Sequence, residues 1–215
     1  MNEASPFSPP PRIALFLKAP RPGTVKTRLA VTVGAAKAIA IYRQLTEWQL
    51  RALPDDWPVT VYYDPPDAGE QMAQWLDPLH QGLQYVAQCP GDLGARLTAA
   101  FATEFSYAPG PVLAIGGDCP GLDGMILESA AQAMITSEVV LGPAVDGGYY
   151  LIGLKAPRPS LFCGIAWSSA AVLAQTRDIV RKSHLSCHEL PWLEDVDDAA
   201  SLSRAWESCR LPVSA

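Results

Sequence analysis

Short runs of β-favouring residues alternate with helical stretches along the whole chain, and few folds accept that alternation. Strands are predicted at Ile13–Leu17, Val59–Tyr63, Leu83–Gln88, Val112–Ile115, Val139–Leu141, Tyr149–Leu154 and Leu185–Glu189. Helices are predicted at Ala35–Leu53, Gly69–Leu76, Leu93–Phe105, Met125–Ile135, Ser169–Lys182 and Ala199–Glu207. In the first helix Ile39, Tyr42, Leu45 and Leu53 fall on one helical stripe, the pattern of a helix that covers a sheet. Strand and helix alternating with short connections predict an α/β fold, a single domain with a doubly wound, mostly parallel sheet. After Leu141, Asp146-Gly147-Gly148 separates two strand-like runs, so an antiparallel excursion is expected there. Polar, proline-rich residues 1–11 read as a disordered tail and residues 12–210 as the domain. The 215 residues make one generous domain, and 49% apolar content is enough for its core.

Bulk properties exclude several classes. A net charge of −6 argues against a nucleic acid or an anionic membrane as the main partner. No apolar run approaches the roughly 18 residues of a membrane span, and the start lacks the apolar stretch of a signal peptide. Five widely spaced cysteines without a C-x-x-C pair read as reduced thiols of a cytoplasmic protein. His184, Cys187 and His188 lack the second cysteine pair that a zinc site would need.

Against this acidic background, residues 17–29 carry four cations, Lys18, Arg21, Lys26 and Arg28, within eleven positions of a turn through Pro20, Pro22 and Gly23. The segment follows a buried strand and runs into a helix, and ligands of open α/β sheets bind outside the carboxyl ends of strands. Backbone N–H groups in such a loop and a following helix N-terminus favour anions. Lys18, Ala19, Pro20, Arg21, Gly23, Lys26 and Arg28 are therefore candidates for holding a polyphosphate; the alternative is a solvated turn. Gly23-Thr-Val-Lys26-Thr27 imitates the end of a P-loop, but Lys18 and Val25 stand where the cradle needs glycines.

Asp118 lies just past the Val112–Ile115 strand and faces the same crevice, with Gly116, Gly117 and Gly121 leaving room for a ligand. It is the first candidate for a hard divalent cation, against the alternative of a helix cap or Asx turn. Cys119 reads as buried filler. The acidic run Glu194-Asp195-Val196-Asp197-Asp198 either caps the last helix or completes the metal site through Asp197 or Asp195. Asp146, Gly147, Gly148 and Tyr149 form either a hairpin turn or the wall of an acceptor pocket, to which Trp167 is a further candidate. Asp92, Gly94 and Arg96 are either a helix cap with a surface arginine or a loop holding nucleobase or ribose.

Five segments occur in order: Lys-Ala-Pro-Arg-Pro-Gly-x-x-Lys-Thr-Arg-Leu, Gly-Asp-Leu-Gly-x-Arg, Ile-Gly-Gly-Asp-Cys-Pro-Gly-Leu, Gly-Pro-x-x-Asp-Gly-Gly-Tyr-Tyr-Leu-Ile-Gly-Leu and Asp-Val-Asp-x-x-x-x-Leu. Together they resemble the selenodomain-associated transferase family, uncharacterised proteins of the GT-A, or nucleotide-diphospho-sugar transferase, fold. The resemblance spans about residues 12 to 205 and implies glycosyl transfer. The first loop is also similar to that of GT-A nucleotidyltransferases such as the molybdenum-cofactor and phospholactate guanylyltransferases. That likeness implies Lys26 and Arg28 on phosphate, Asp118 on the metal, and Asp197 at the acid that opens an Asp-Thr-Pro-Glu-Asp-Leu motif. The chain departs from that motif after Asp197, and it has Gly117 where relatives often carry Ser. The expectation is a transferase dependent on Mg²⁺ or Mn²⁺ that uses an NTP or NDP-sugar and a small-molecule acceptor. Lys26, Arg28 and Asp118 would be its catalytic residues. The cationic loop leans the chemistry to nucleotidyl transfer onto a phosphorylated acceptor; the alternatives are glycosyl transfer and a non-catalytic nucleotide-binding module. Nothing in the sequence sets an oligomeric state.

Overall fold

The computed structural model describes residues 10–209; residues 1–9 of the expected tail and residue 210 at the expected domain end lie outside the described residues. The elements run β1 (Arg12–Lys18), α1 (Thr27–Val33), α2 (Ala35–Arg51), β2 (Val59–Asp64), α3 (Gly69–Leu76), β3 (Gln84–Ala87), α4 (Leu93–Tyr107) and β4 (Val112–Gly116). They continue as α5 (Gly124–Ala133), β5 (Val139–Pro143), β6 (Tyr149–Leu154), α6 (Val172–Lys182), β7 (Cys187–Glu189) and α7 (Ala199–Cys209). One seven-stranded sheet has the order β3-β2-β1-β4-β6-β5-β7. β6 runs antiparallel to both β4 and β5, and the other pairings are parallel. β6 is the antiparallel excursion expected after Leu141.

Alternation along the strands buries both faces of the sheet, as a doubly wound fold requires. Ile13, Leu15 and Leu17 of β1 pack with Tyr42, Leu50, Met72 and Leu127 on one face, and Ala14 packs with Leu97, Phe101 and Leu173 on the other. Fully burying a leucine of this kind stabilises the fold by about 1.5–3 kcal/mol. A third cluster joins Leu29 of α1, Ile41 and Leu45 of α2, and Val196 and Leu202 near α7.

Two differences from the sequence-based elements have clear causes. α1 has no counterpart among the predicted helices. Its Thr-Arg-Leu-Ala-Val-Thr-Val run is short and rich in β-branched residues, and Leu29 is its only buried position. Tertiary packing makes it helical, and Gly34 at φ 83° ends it and opens α2. α6 starts at Val172 rather than Ser169, because Ser169 is spent in a turn, its hydroxyl donating to Ala166 O at 2.6 Å.

Candidate functional site

From β1 the chain winds outward to β2 and β3, whereas β4 lies on the other side of β1. The sheet therefore switches direction between β1 and β4, and the crevice at their carboxyl ends is where such sheets bind ligands. A cavity of about 570 Å³ opens there, lined by Lys18, Lys26, Arg28, Gln88, Arg96, Gly117, Asp118 and Asp197 among others. A hollow of about 670 Å³ between Arg51, Asp55, Asp77 and His80 lies near the amino ends of β2 and β3, away from that crevice.

One face of α2 holds both loops of the crevice. Tyr42 Oη donates to Lys18 O at 2.9 Å and accepts from Lys18 N at 3.0 Å. One turn on, Thr46 Oγ1 donates to Gly117 O at 3.0 Å. Gln49 then bridges the turn, its Nε2 donating to Gly116 O and its Oε1 accepting from Cys119 N at 3.2 Å. Val196 N donates to Asp118 O at 3.1 Å, which ties the C-terminal acidic run to the same turn. Asp118 is thus positioned through its backbone, and its carboxylate is left to face the crevice.

Lys26 is the centre of the electrostatics. It occupies a left-handed conformation, φ 48°, at the start of α1. Its side chain is only 4% exposed, and Nζ donates to Asp118 Oδ2 at 2.6 Å and to Asp197 Oδ1 at 3.1 Å. Burial by itself would lower the ammonium pKa, but the attraction of Asp118 and Asp197 outweighs burial and leaves it raised. Arg28, on the rim, approaches Asp197 Oδ2 at 3.9 Å. Asp195 lies deeper, its Oδ1 shut off from solvent without a hydrogen-bond partner. Burial, then the charges of Asp118 and Asp146, push its pKa up to about 8.

The Asp195 shift has a sign that can be measured. A carboxyl whose native pKa exceeds its unfolded value near 4 favours the native state when protonated, so stability is lost as pH rises from the unfolded value through the native one. With chelator present, stability is expected to fall between about pH 4 and pH 8, the upper bound being the native pKa. Asp195→Asn should flatten that part of the profile in urea melts at a series of pH values.

The donor set fits a hard divalent cation. Two carboxylates, Asp118 and Asp197, already converge on one positive point, and a third carboxylate oxygen nearby lacks a partner. Among the described residues no group of three or more His, Cys, Asp and Glu side chains forms a ready-made metal cage. Magnesium commonly binds through one or two carboxylates together with substrate phosphates, so two suffice.

The remaining candidates divide between the crevice and its supports. Arg21 turns away, its NH1 donating to Asp67 at 3.1 Å and its Nε to Gln71 at 3.0 Å. Ala19 is fully buried, and Ala19, Pro20, Arg21, Gly23, Asp92 and Gly94 do not line the cavity. Asp92 caps α4 by accepting from Ala95 N. Arg96 lines the wall but is held by Asp64 Oδ2 at 3.3 Å and Gln88 Oε1 at 2.9 Å. Gly94 allows close approach, since a Cβ there would lie 2.6 Å from Trp167 Nε1. A second cavity of about 390 Å³ shares Arg28, Leu93, Ser168 and Asp197 with the first, and Asp146, Gly148, Tyr149, Trp167 and Asp195 also line it. Gly147 is not in that lining; it packs at φ 90° against the Ala170 backbone.

Several lining residues were not anticipated. Gln88 and Leu93 sit at a strand end and a helix start and carried no charge pattern to single them out. Ser168 lies in the left-handed region, φ 61°, between the two cavities. Gly117 now has an account: a Cβ there would run into Leu17 Cδ2, which is part of the core. Gly117→Ser is expected to cost about 1–3 kcal/mol by overpacking. In a double-mutant cycle Leu17→Ala should recover part of that cost, whereas additive losses would mean that the two do not collide.

A family model of uncharacterised proteins conserved in bacteria, DUF2064, matches residues 49–169. The chain belongs to this family. A crystal structure from Desulfovibrio desulfuricans, provisionally described as a nucleotide-diphospho-sugar transferase, is 32% identical to this member. The match covers 91% of this chain and 86% of that one, with a TM-score of 0.85. More distant structures share the fold: Rv0371c from Mycobacterium tuberculosis in complex with manganese is 16% identical, with a TM-score of 0.55 over 93% of this chain and 100% of that one. The inositol-1-phosphate CTP transferase from T. maritima is 13% identical, with a TM-score of 0.56 over 95% and 98% of the two chains. No protein with a curated description matches. The DUF2064 chain thus has the nucleotide-diphospho-sugar transferase fold that the sequence resemblance implied, and among its described residues no helix is long and apolar enough to cross a membrane.

Proposed function

We propose that residues 12–210 form a divalent-metal-dependent transferase that uses a nucleotide substrate, and that its reaction is glycosyl transfer from a nucleotide-diphospho-sugar. The observation that carries this reading is the convergence of the Asp118 and Asp197 carboxylates on one point at the sheet's switch position. Asp118 and Asp197 would hold the cation, which when bound supplies positive charge to the leaving diphosphate. Lys18 and Arg28 line the same cavity and would contact phosphate oxygens. The acceptor oxygen forms a bond to the anomeric carbon. The bond from that carbon to the diphosphate oxygen breaks with its electron pair on the diphosphate, and the hydroxyl proton passes to a carboxylate or to water.

The lean of the cationic loop to nucleotidyl transfer weakens once the partners of its charges are known. Arg21 is turned to Asp67, and Lys26 is neutralised by two aspartates. Lys18 and the rim residue Arg28, itself 3.9 Å from Asp197, remain for a departing phosphate group, which suits a diphosphate with metal better. The likeness to the provisional nucleotide-diphospho-sugar transferase supports the same choice. Nucleotidyl transfer remains the second reading, on the strength of Lys18 and Arg28 in the cleft.

The test is product analysis with Mg²⁺ or Mn²⁺ across nucleotide-sugars and nucleoside triphosphates. Release of nucleoside diphosphate from the sugar donor is expected. Pyrophosphate released from a triphosphate in the presence of a sugar phosphate would move the second reading into first place. Binding without turnover of either class would leave a nucleotide-binding module. Arg28→Ala should weaken nucleotide binding roughly tenfold, the size of one charge-assisted hydrogen bond.

A further inference from the structure

The two ends of the crevice differ in chemistry. Asp118, Asp197 and Arg28 gather beyond β4, where the cation and the diphosphate belong, and the second cavity opens from that end through Arg28 and Asp197. A nucleoside attached to that diphosphate must extend the other way, toward the carboxyl ends of β2 and β3. Lys18, Gln88 and Arg96 line this second end. Given the nucleotide reading of the crevice, the base it takes depends on what those three side chains offer.

Gln88 is committed to the wall. Its Nε2 donates to Leu17 O at 3.2 Å and to Tyr62 O at 2.8 Å, and its Oε1 accepts from Arg96 NH1 at 2.9 Å. An amide pinned at both ends cannot turn over to suit a ligand. Arg96 is fixed on one side only. Its Nε donates to Gly91 O at 3.2 Å, and its NH1 donates to Asp64 Oδ2 at 3.3 Å as well as to Gln88. These contacts set the plane of the guanidinium, while NH2, with two N–H groups, has no protein partner among the described residues. The side chain is 25% exposed and lines the cavity, and since Nε and NH1 are the atoms held to the wall, NH2 is left for the ligand. Asp64 already answers the charge of Arg96, so the guanidinium serves less as a phosphate anchor than as a fixed pair of donors. The Lys18 ammonium beside it is also a donor only.

Bases divide on that point. The edge farthest from the ribose carries a carbonyl oxygen in uracil, thymine and guanine, and an amino group in cytosine and adenine. A carbonyl accepts from NH2, whereas an amino group sets donor against donor and leaves Arg96 unpaired. We infer that Arg96 reads the base and selects a nucleotide of keto type, built on uracil, thymine or guanine, over one built on cytosine or adenine.

The experiment is titration calorimetry of the whole protein in Mg²⁺ with UDP, CDP, GDP, ADP and inorganic pyrophosphate. Comparing UDP with CDP, and GDP with ADP, holds ring size constant. Within each ring size that binds, the keto nucleotide should bind roughly tenfold or more tightly than its amino counterpart, the discrimination of one well-placed hydrogen-bonding pair. Arg96→Lys keeps a cation for Asp64 but loses the planar fork, so the ratios should fall to about threefold or less. Pyrophosphate affinity should stay at the parent value, and a thermal melt confirms that the variant is folded. Ratios near one in the parent protein overturn the inference whatever the variant does. A keto preference that survives in Arg96→Lys overturns it too, as does a loss of pyrophosphate affinity there, which would make Arg96 a phosphate ligand. No affinity for any of the four nucleotides sinks the transferase reading and this inference with it. Nucleotides that bind with ratios near one remove only the choice of base.

Discussion

Glu104→Ala is expected to lower stability by about 3–5 kcal/mol, because it strands a buried charge. Glu104 is fully buried in α4, and Arg12 at the start of β1 is 6% exposed. Arg12 Nε donates to Glu104 Oε2 at 3.2 Å, and Arg12 NH2 donates to the Glu104 carbonyl oxygen. Tyr62 Oη donates to Glu104 Oε1 at 2.8 Å, so both carboxylate oxygens are used. Truncation would leave the guanidinium inside the fold without its counter-charge, and Arg12 and Tyr62 would keep only the backbone carbonyls of Glu104 and Ala100 as acceptors. The loss should appear in urea melts at neutral pH and leave nucleotide binding untouched, since Arg12 lies at the end of β1 remote from Lys18. The double variant Arg12→Met, Glu104→Leu should recover most of the loss, because a buried pair replaced by apolar groups of similar size is often neutral or better. A loss below about 1 kcal/mol in Glu104→Ala would be the size of a surface ion pair and would mean that the two charges are solvated rather than paired.

That pair marks a limit of what the sequence displays. Hydrophobic periodicity is local, so α2, α3 and every strand could be read from it, along with the reversed β6 from the glycines that precede it. Arg12 and Glu104 are far apart in the chain and each sits within an apolar pattern, so neither announces a partner. α1 was hidden for a related reason: its residues favour strands, and it is helical because Leu29 reaches a cluster built from α2 and the α7 region. In the crevice, Lys18, Lys26, Arg28, Asp118 and Asp197 could be found because strand ends predict where loops converge. What each charge faces could not be read, since pairing depends on side-chain directions set by packing. Hence Arg21 and Lys26 counted as free cations in the sequence, while one turns to Asp67 and the other lies between two aspartates. Asp195 and Asp197 were indistinguishable as neighbours in an acidic run. The fold separates them, shutting Oδ1 of one off from solvent without a hydrogen-bond partner and pointing the other at Lys26.

Asp118→Asn should reduce turnover by roughly a hundredfold or more, since a metal-stabilised leaving group draws several kcal/mol from its ligands and each step of about 1.4 kcal/mol is a decade in rate. The fold should hold, because Thr46 and Gln49 grip the backbone of Gly116, Gly117 and Cys119 and never touch the Asp118 carboxylate. Lys26→Met provides the contrast. Removing the ammonium leaves Asp118 and Asp197 converging without a counter-charge, so the variant should bind Mn²⁺ alone about tenfold more tightly, one interaction of about 1.4 kcal/mol being released. Asp118→Asn should instead weaken Mn²⁺ binding. Titration calorimetry of both variants reads the two directions directly. If Lys26→Met binds Mn²⁺ no better than the parent protein, the ammonium does not compete for the cation position. If Asp118→Asn also turns over normally, the carboxylates serve only to bury Lys26, and the metal belongs elsewhere.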